Sequence, residues 1–140
     1  MITYFATFTE NSTFAISTTD IIAERIRFMQ MAERNILAIK KSLKGLDFQS
    51  ANDSATMIQS WAHKMEYYFP LGSGASVHNL SAASDDIWRK LEVFKNLIKL
   101  NKKASDRMVI AAQSQNKEKL EQAVDAAVKS CNLCHNTFRN

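Results

Sequence analysis

The amino-acid sequence predicts an all-α protein of one domain, built from four helices. Only three Gly and one Pro occur in 140 residues, whereas folds made of many short strands need turn residues at every corner. The composition is 46% hydrophobic and 23% charged, which is enough apolar material for a buried core. Four segments carry apolar residues at helical spacing, and this length is typical of one domain, since a single core absorbs about 100 to 200 residues.

The first predicted helix begins after the polar residues 17–20 and ends at Gly45. Hydroxyl and carboxylate side chains in that polar run are good helix caps. Two apolar rows on one face are expected of a helix that packs in a bundle. Here the rows consist of Ile22, Met29, Ile36 and Leu43, with Ala32, Ile39 and Leu46 beside them.

The second predicted helix follows a cap region at residues 50–54 and stops at Phe69 and Pro70, because the residue before a proline is disfavoured in a helix. Its apolar positions are Ala51, Ala55, Ile58, Ala62 and Met65. Residues 71–84 contain the other two glycines and several serines without sustained periodicity, which predicts one long loop. A long loop in a small bundle often borders a functional site.

The third predicted helix starts at a cap formed by Ser84 or Asp85 and continues to Ala112. Its apolar face carries Ile87, Leu91, Phe94 and Ile98. A polar turn at residues 113–116 separates it from the fourth predicted helix. The apolar face of that helix carries Leu120, Val124, Ala127, Cys131, Cys134 and Phe138, so the cysteines are expected near its end.

Charge and hydropathy exclude several classes of function. The net charge is +4, from 18 Lys and Arg against 14 Asp and Glu, and no arginine cluster is interleaved with aromatic residues, so nucleic-acid binding is not expected. No apolar run approaches the roughly 18 residues of a membrane-spanning helix, so a soluble protein is expected. Residues 1–17 lack the basic start and apolar stretch of a secretory signal. They are expected to be an N-terminal extension or leader remnant, followed by a bundle domain at residues 18–140.

The motif that indicates chemistry is Cys131-Asn132-Leu133-Cys134-His135. Cys-x-x-Cys-His is the attachment signature of c-type haem. Residues three apart lie on the same face of a helix, so both thiols can reach vinyl-derived carbons on one porphyrin edge. The histidine is then held beneath the iron as an axial ligand. We therefore expect one covalent haem c, attached through Cys131 and Cys134 and coordinated by His135.

Three other interpretations of the cysteines remain open from the residues alone. A redox dithiol is expected in a thioredoxin-type strand and helix context, which the fourth helix does not offer. A zinc site needs two more ligands, for which only His63 and His78 are available, without the ligand spacing of a finger. In the third interpretation the cysteines are buried residues without chemistry, although two thiols beside a histidine make a poor core.

With this motif near its C-terminal end, the sequence resembles the class II c-type cytochromes, the cytochrome c′ family. The resemblance extends from about residue 20 to residue 139, and it implies an antiparallel up-and-down four-helix bundle. The c-type attachment of haem implies a location in the bacterial periplasm, where haem is joined to exported chains. Redox partner proteins are expected as well. Many relatives dimerise through the first two helices, so the resemblance also implies a homodimer. Supporting matches are Phe138 and Arg139 after the motif, Phe69-Pro70, Gly72-Ser73 and Asp86-Ile87-Trp88.

The resemblance also assigns two residues on the first helix. The family has an arginine there, four positions before the residue that faces the distal side of the haem. Aligned on residues 43–45, these positions are Arg25 and Met29. Members with Met at the distal position resemble low-spin electron carriers, so the resemblance implies a one-electron carrier with His135 and Met29 as axial ligands and no enzymatic activity. The alternative is a five-coordinate protein that binds nitric oxide or carbon monoxide.

Each of these side chains also has an ordinary explanation. Arg25 interrupts the apolar rows, and a buried guanidinium without an anion is costly, so we expect a haem propionate as its partner. Otherwise its head snorkels to solvent. Met29 is either an iron ligand or core filler. Four further side chains either line the pocket or merely pack over it, namely Trp61, His63, Tyr67 and Tyr68. The lysines at 40, 41, 44, 99, 102 and 103 form solvated faces or a basic rim that steers an acidic redox partner.

Overall fold

The computed structural model describes residues 15–140, which form a four-helix bundle. The helices are α1 (Thr18–Lys44), α2 (Phe48–Lys64), α3 (Asp86–Arg89), α4 (Leu91–Gln113) and α5 (Lys117–Phe138), with a 3-10 turn at Met65–Tyr68 after α2. The long helices pack in chain order, α1 on α2, α2 on α4 and α4 on α5, and the predicted antiparallel all-α fold is confirmed. Most of the extension predicted for residues 1–17 lies outside the described residues.

The beginnings of α1 and α2 show how local chemistry sets the helix bounds. The Ser17 side chain accepts a hydrogen bond from the Asp20 backbone N–H at 3.1 Å and caps α1. The cap predicted for the second helix is wrong by several residues, because Asp47 caps α2 by accepting from Ser50 N–H at 3.0 Å. Three residues, 45–47, connect α1 to α2. The connection can be short because Leu46 adopts a φ of 54°, which reverses the direction of the chain.

The third predicted helix is two helices. Lys90 has φ −120° and ψ 44°, which are not helical angles, and it separates α3 from α4. Two contacts hold the single turn of α3 in place. Ile87 is buried in the core, and the Trp88 indole Nε1–H donates to the Phe69 carbonyl of the long loop at 3.1 Å. The chain must therefore change direction before it can enter α4.

Residues 69–85 form the predicted long loop, and backbone hydrogen bonds join this loop to the end of α5. Ser84 N–H donates to the Phe138 carbonyl at 2.7 Å, and Asn140 N–H donates to the Ala82 carbonyl at 2.8 Å. An isolated antiparallel bridge between Ala83 and Arg139 lies between these two bonds. The loop is therefore tied to the segment that follows the Cys-x-x-Cys-His motif.

The core divides into two clusters of different character. One is aliphatic and includes Ile39, Leu43, Ile58, Met108, Leu120 and Val124. The other, here called the aromatic cluster, consists of Trp61, Met65, Ala83, Ile87, Phe94, Ile98 and Phe138, with Phe28, Met29, Tyr68, Phe69 and Cys134 among the residues packed against it. The cysteine motif thus adjoins the aromatic cluster. Within residues 15–140, no helix is both long and apolar enough to cross a membrane.

Candidate functional site

The Cys-x-x-Cys-His motif lies on the last turns of α5, as its spacing predicts. Cys131 and Cys134 are both free thiols and partly exposed, and His135 is half-buried beside them. Because the helix continues to Phe138, residues three apart on it lie on one face. The structure therefore presents two reduced thiols and an imidazole at one end of the bundle.

The two thiols lie in different surroundings. The Asn101 side-chain amide donates a hydrogen bond to Cys131 Sγ at 3.5 Å, whereas Cys134 packs against the aromatic cluster. Burial raises the pKa of Cys131, an effect that the Asn101 bond opposes, and burial raises the pKa of Cys134 to about 11. Burial and the nearby Arg139 charge lower the pKa of His135. At neutral pH the site therefore holds neutral thiols and a neutral imidazole, the form of histidine that binds metals.

This donor set fits a covalently attached haem. Neutral thiols can add to vinyl groups, a neutral imidazole is an axial iron ligand, and the adjoining aromatic cluster offers an apolar surface for a porphyrin. A redox dithiol fits poorly, because reactive thiols have lowered pKa values and both of these are raised.

A zinc site also fits poorly. Residues 15–140 contain no cluster of three or more His, Cys, Asp and Glu side chains that could hold a metal. His63 Nε2 lies 2.8 Å from Asp106 Oδ1, in a surface contact between α2 and α4. His78 is exposed in the long loop. Neither histidine completes a set of ligands with the cysteines.

Met29 lies on α1 and is partly buried against the aromatic cluster, to which Cys134 also packs. The structure thus brings the predicted distal residue and the cysteine motif to one cluster, although they lie on the first and last helices. The same contact is expected if Met29 only fills space in the core. Coordination of iron by Met29 stays a prediction.

Arg25 is only 4% exposed, so the interpretation that its head reaches solvent is wrong. Nη1 donates to the Tyr68 carbonyl and to Ser73 Oγ, both at 2.9 Å. Nη2 donates to the Ser73 carbonyl and to Ser81 Oγ, both at 2.8 Å, and the guanidinium lies 4.4 Å from the centre of the Phe69 ring. Burial lowers the pKa of Arg25 to about 10, which leaves it protonated at neutral pH.

All four acceptors of Arg25 are neutral, and three of the four belong to the long loop. The arginine therefore fastens this loop to α1, a role that the sequence analysis missed. A serine-rich loop was visible in the sequence, but Ser73 and Ser81 lie 48 and 56 positions from Arg25, and no sequence pattern links them. The predicted pairing of Arg25 with a haem propionate stays a prediction.

The aromatic side chains near the end of α2 divide into buried and exposed members. Trp61 is buried and stacks on Phe28 at 5.1 Å between ring centroids. Tyr68 meets both rings at 5.3 and 5.5 Å. Tyr67 is 63% exposed, although its ring lies 5.4 Å from that of Tyr68. Trp61 and Tyr68 are thus wall residues of the aromatic cluster, whereas His63 faces Asp106 on the surface.

Comparisons with known proteins agree with the fold. Residues 20–139 match the family model described as Cytochrome C′. Cytochrome c′ from Thermochromatium tepidum is 20% identical, with 89% of this chain and 98% of that chain covered and a TM-score of 0.82. A nitric oxide complex of a cytochrome c prime variant from Alcaligenes xylosoxidans is 17% identical, with 90% and 98% covered and a TM-score of 0.78.

A further similar structure is a cytochrome c′ described as having ligand-controlled dimer dissociation. It is 17% identical, with 89% of this chain and 98% of that chain covered and a TM-score of 0.82. At these identities, the structural likeness shows a common fold. No curated protein sequence gives a significant match.

Replacing Arg25 should release the long loop. In Arg25→Leu the loop loses three hydrogen bonds and the 3-10 turn loses one, so we expect the free energy of unfolding of the holoprotein to fall by about 2 to 4 kcal/mol. Cleavage by a protease within residues 69–85 should become faster. Denaturant unfolding and mass analysis of limited digests measure these two effects.

The matched control is Arg27→Leu, because Arg27 is exposed on the same helix and pairs with Glu24 at 2.6 Å. This variant should have nearly the stability of wild type, because an exposed ion pair contributes little, and it should keep the digestion pattern of wild type. If Arg25→Leu and Arg27→Leu had equal stability and were cleaved equally fast, Arg25 would not hold the loop.

Proposed function

Because the chain belongs to the cytochrome c′ family, we propose that it is a periplasmic haem protein that binds a small neutral gas, nitric oxide or carbon monoxide. Members of this family bind one covalent haem c per chain. The residues proposed to hold it are Cys131 and Cys134 through thioether bonds and His135 through its imidazole. The support is the helical Cys-x-x-Cys-His motif beside the aromatic cluster.

One observation carries the gas-binding proposal. A cytochrome c prime variant with the same fold, which covers 90% of this chain, has been solved as a nitric oxide complex. When bound, the haem supplies a redox-active iron with a coordination position for such a gas. The residues near the motif suit this ligand, because Met29, Phe28 and Trp61 are apolar side chains at the aromatic cluster. An apolar wall admits a neutral diatomic molecule and disfavours ions and water.

The second candidate is a one-electron carrier with His135 and Met29 as axial ligands. One observation favours it, since Met29 packs against the same cluster as Cys134, and a thioether is a soft ligand suited to haem iron. The comparisons do not support a His/Met subgroup, and we therefore rank this candidate second. We propose no enzymatic activity for the chain in either case.

The proposed location and partners follow from the same reasoning. Because haem c is joined to reduced cysteines after export, the proposed location is the bacterial periplasm. A carrier needs redox partner proteins, and the lysines at the ends of α1 and along α4, most of them exposed, would attract acidic ones. A homodimer is proposed because one structure of the same fold is described as a dissociating dimer. Leu37 of α1 and Met57 of α2 are exposed apolar residues that such a dimer would cover.

We propose further that Arg25 pairs with a haem propionate. Its four donors meet neutral acceptors, which replace water but leave the positive charge itself without compensation. Among residues 15–140, no carboxylate lies within ion-pair distance of Arg25, although several other Arg and Lys side chains have such partners. An anion supplied with the cofactor would remove this cost.

Covalent attachment predicts that acid and acetone leave the haem on the polypeptide. The mass of the denatured chain should equal that of the polypeptide plus one haem, as measured by intact-mass spectrometry. Replacing both Cys131 and Cys134 by Ala should remove the covalent haem and most of the stability of the fold, since the emptied site leaves a large cavity. A wild type that gives up all its haem to the solvent contradicts the attachment.

The state of the distal side separates the two candidate functions. For the gas-binding protein, the ferric form should be high spin, the ferrous form should bind carbon monoxide readily, and Met29→Ala should leave the spin state unchanged. For the carrier, wild type should be low spin with a near-infrared sulfur-to-iron band, and Met29→Ala should become high spin and open to carbon monoxide. Absorption spectra of both oxidation states decide between them, with Met31→Ala of the same helix as the control.

Pairing of Arg25 with a propionate predicts a change in reduction potential. The positive charge offsets the negative field of the carboxylate and so raises the potential. Arg25→Leu should therefore lower the potential clearly, and Arg25→Lys, which keeps the charge but not the forked donors, should lower it less. Redox titrations at low and high salt measure the shift, since an exposed charge would be screened. Equal potentials in all three proteins would leave Arg25 with only its role in the loop.

A further inference from the structure

Asn101 is a polar residue on the apolar face of α4. It is 6% exposed, and its neighbours along that face include Phe94, Ile98 and Met108, all of which are fully buried. A buried amide in such a row costs free energy unless it is hydrogen-bonded. The partners that it finds lie on α5, at the beginning of the cysteine motif.

The amide nitrogen of Asn101 makes both contacts. Nδ2 donates to Ser130 Oγ at 2.8 Å and to Cys131 Sγ at 3.5 Å. The orientation of the amide is set by Ser130, because the Ser130 hydroxyl donates to the Ala127 carbonyl at 2.7 Å and thus presents a lone pair to Asn101. The NH₂ end therefore faces Ser130 and Cys131, and its two N–H groups serve one acceptor each.

From this geometry we propose that Asn101 is a positioning residue for the attachment of haem to Cys131, a proposal that rests on the function proposed above. A cysteine side chain on a helix surface exchanges between rotamers, and the amide of Asn101 selects the one that turns Sγ toward α4. Cys134 is held by packing against the aromatic cluster. The two cysteines of the motif are thus oriented by different means, Cys131 by a hydrogen bond and Cys134 by apolar contacts.

The covalent step that this orientation assists is the addition of a thiol to a vinyl group. The S–H bond of Cys131 and the π bond of the vinyl group break. A bond forms between Sγ and the inner vinyl carbon, and the proton ends on the outer carbon, which becomes a methyl group. No electrons are gained or lost overall, so the step consumes neither an oxidant nor a reductant. Asn101 takes no part in bond making and acts only through the position of Sγ.

A purely structural role for Asn101 makes a different prediction. If the amide served only to satisfy Ser130, then Ser130→Ala and a change of Asn101 would have the same consequence. The Ser130 hydroxyl, however, has its own acceptor at Ala127, and it does not depend on Asn101 to satisfy its proton. The contact that draws Cys131 Sγ toward α4 is the one from Asn101, since Ser130, whose side chain also opposes the rise in the pKa of Cys131, lies on the same helix as the cysteine.

The test uses holoprotein made in cells that attach haem c, and it compares wild type with Asn101→Leu, Asn101→Asp and Ser130→Ala. Leu has a similar volume without polar atoms, and Asp has the same shape with an acceptor in place of the donor. Each red protein is purified, denatured and alkylated, and free Cys131 and Cys134 are counted by mass analysis of peptides. The haemochrome spectrum independently reports whether one vinyl group has remained unreacted.

Loss of the bond should raise the fraction of chains with free Cys131 about fivefold in both Asn101 variants, which corresponds to about 1 kcal/mol for one hydrogen bond. Free Cys134 should not rise. Ser130→Ala should raise free Cys131 less than the Asn101 variants do, because it keeps the donor of Asn101 and loses only the acceptor that orients it. Should Asn101→Leu not accumulate as folded protein by circular dichroism, Asn101→Asp decides the result. Unchanged free Cys131, an equal rise at both cysteines, or the same rise in Ser130→Ala would overturn the proposal.

The same measurement separates this inference from the proposed function. A wild type without covalent haem contradicts the proposed function, whatever the variants do. A wild type with two thioether bonds, together with Asn101 variants that also have two, upholds covalent haem and contradicts only the positioning role of Asn101.

Discussion

The buried guanidinium of Arg25 is the interaction on which the arrangement of the candidate site depends. It binds three acceptors of the long loop and one carbonyl at the end of the 3-10 turn. The loop in turn bonds to the backbone of residues 138–140 through Ser84 and Ala82. The first helix, the loop and the cysteine-bearing helix are thus joined around a single charge, and Phe69 is held between that charge and the Phe94 ring. Without the arginine, the loop side of this end of the bundle would lose its attachment to α1.

The burial of the Arg25 charge is tolerated because neutral oxygen atoms accept hydrogen bonds from the guanidinium. These oxygen atoms compensate only part of the free-energy cost of its lost hydration. Hydrogen bonds to carbonyls and hydroxyls compensate for lost hydration, and the lowered pKa of Arg25 shows that a desolvation cost persists. The aromatic cluster imposes a similar demand on the cysteines, since it favours uncharged thiols. A cofactor that has an apolar ring and anionic substituents would meet both demands, which is the physical reason for the proposed pairing of Arg25 with a haem propionate.

The sequence predicts the four long helices well, because amphipathic periodicity and caps are local properties. It also places Arg25 on an apolar row of the first helix, which favours a buried guanidinium but leaves open a head that snorkels to solvent. The break at Lys90 could not be predicted, because it depends on the loop that holds Trp88 and not on any signal near the lysine itself. The partners of Arg25 and Asn101 were missed for the same reason. A polar residue on a core face indicates that a partner exists, but only the fold shows which distant side chain it is.

The bonds between the long loop and residues 138–140 have a consequence for the order in which the molecule is assembled. Ser84 meets Phe138 across more than fifty residues of chain, so this pairing cannot form until the ribosome has passed the cysteine motif. Contacts within α1 and α2 are local and can form much earlier. During synthesis the loop therefore stays open at one side after the contacts within α1 and α2 have formed. The side of the bundle that carries the cysteine motif is thus the last to close.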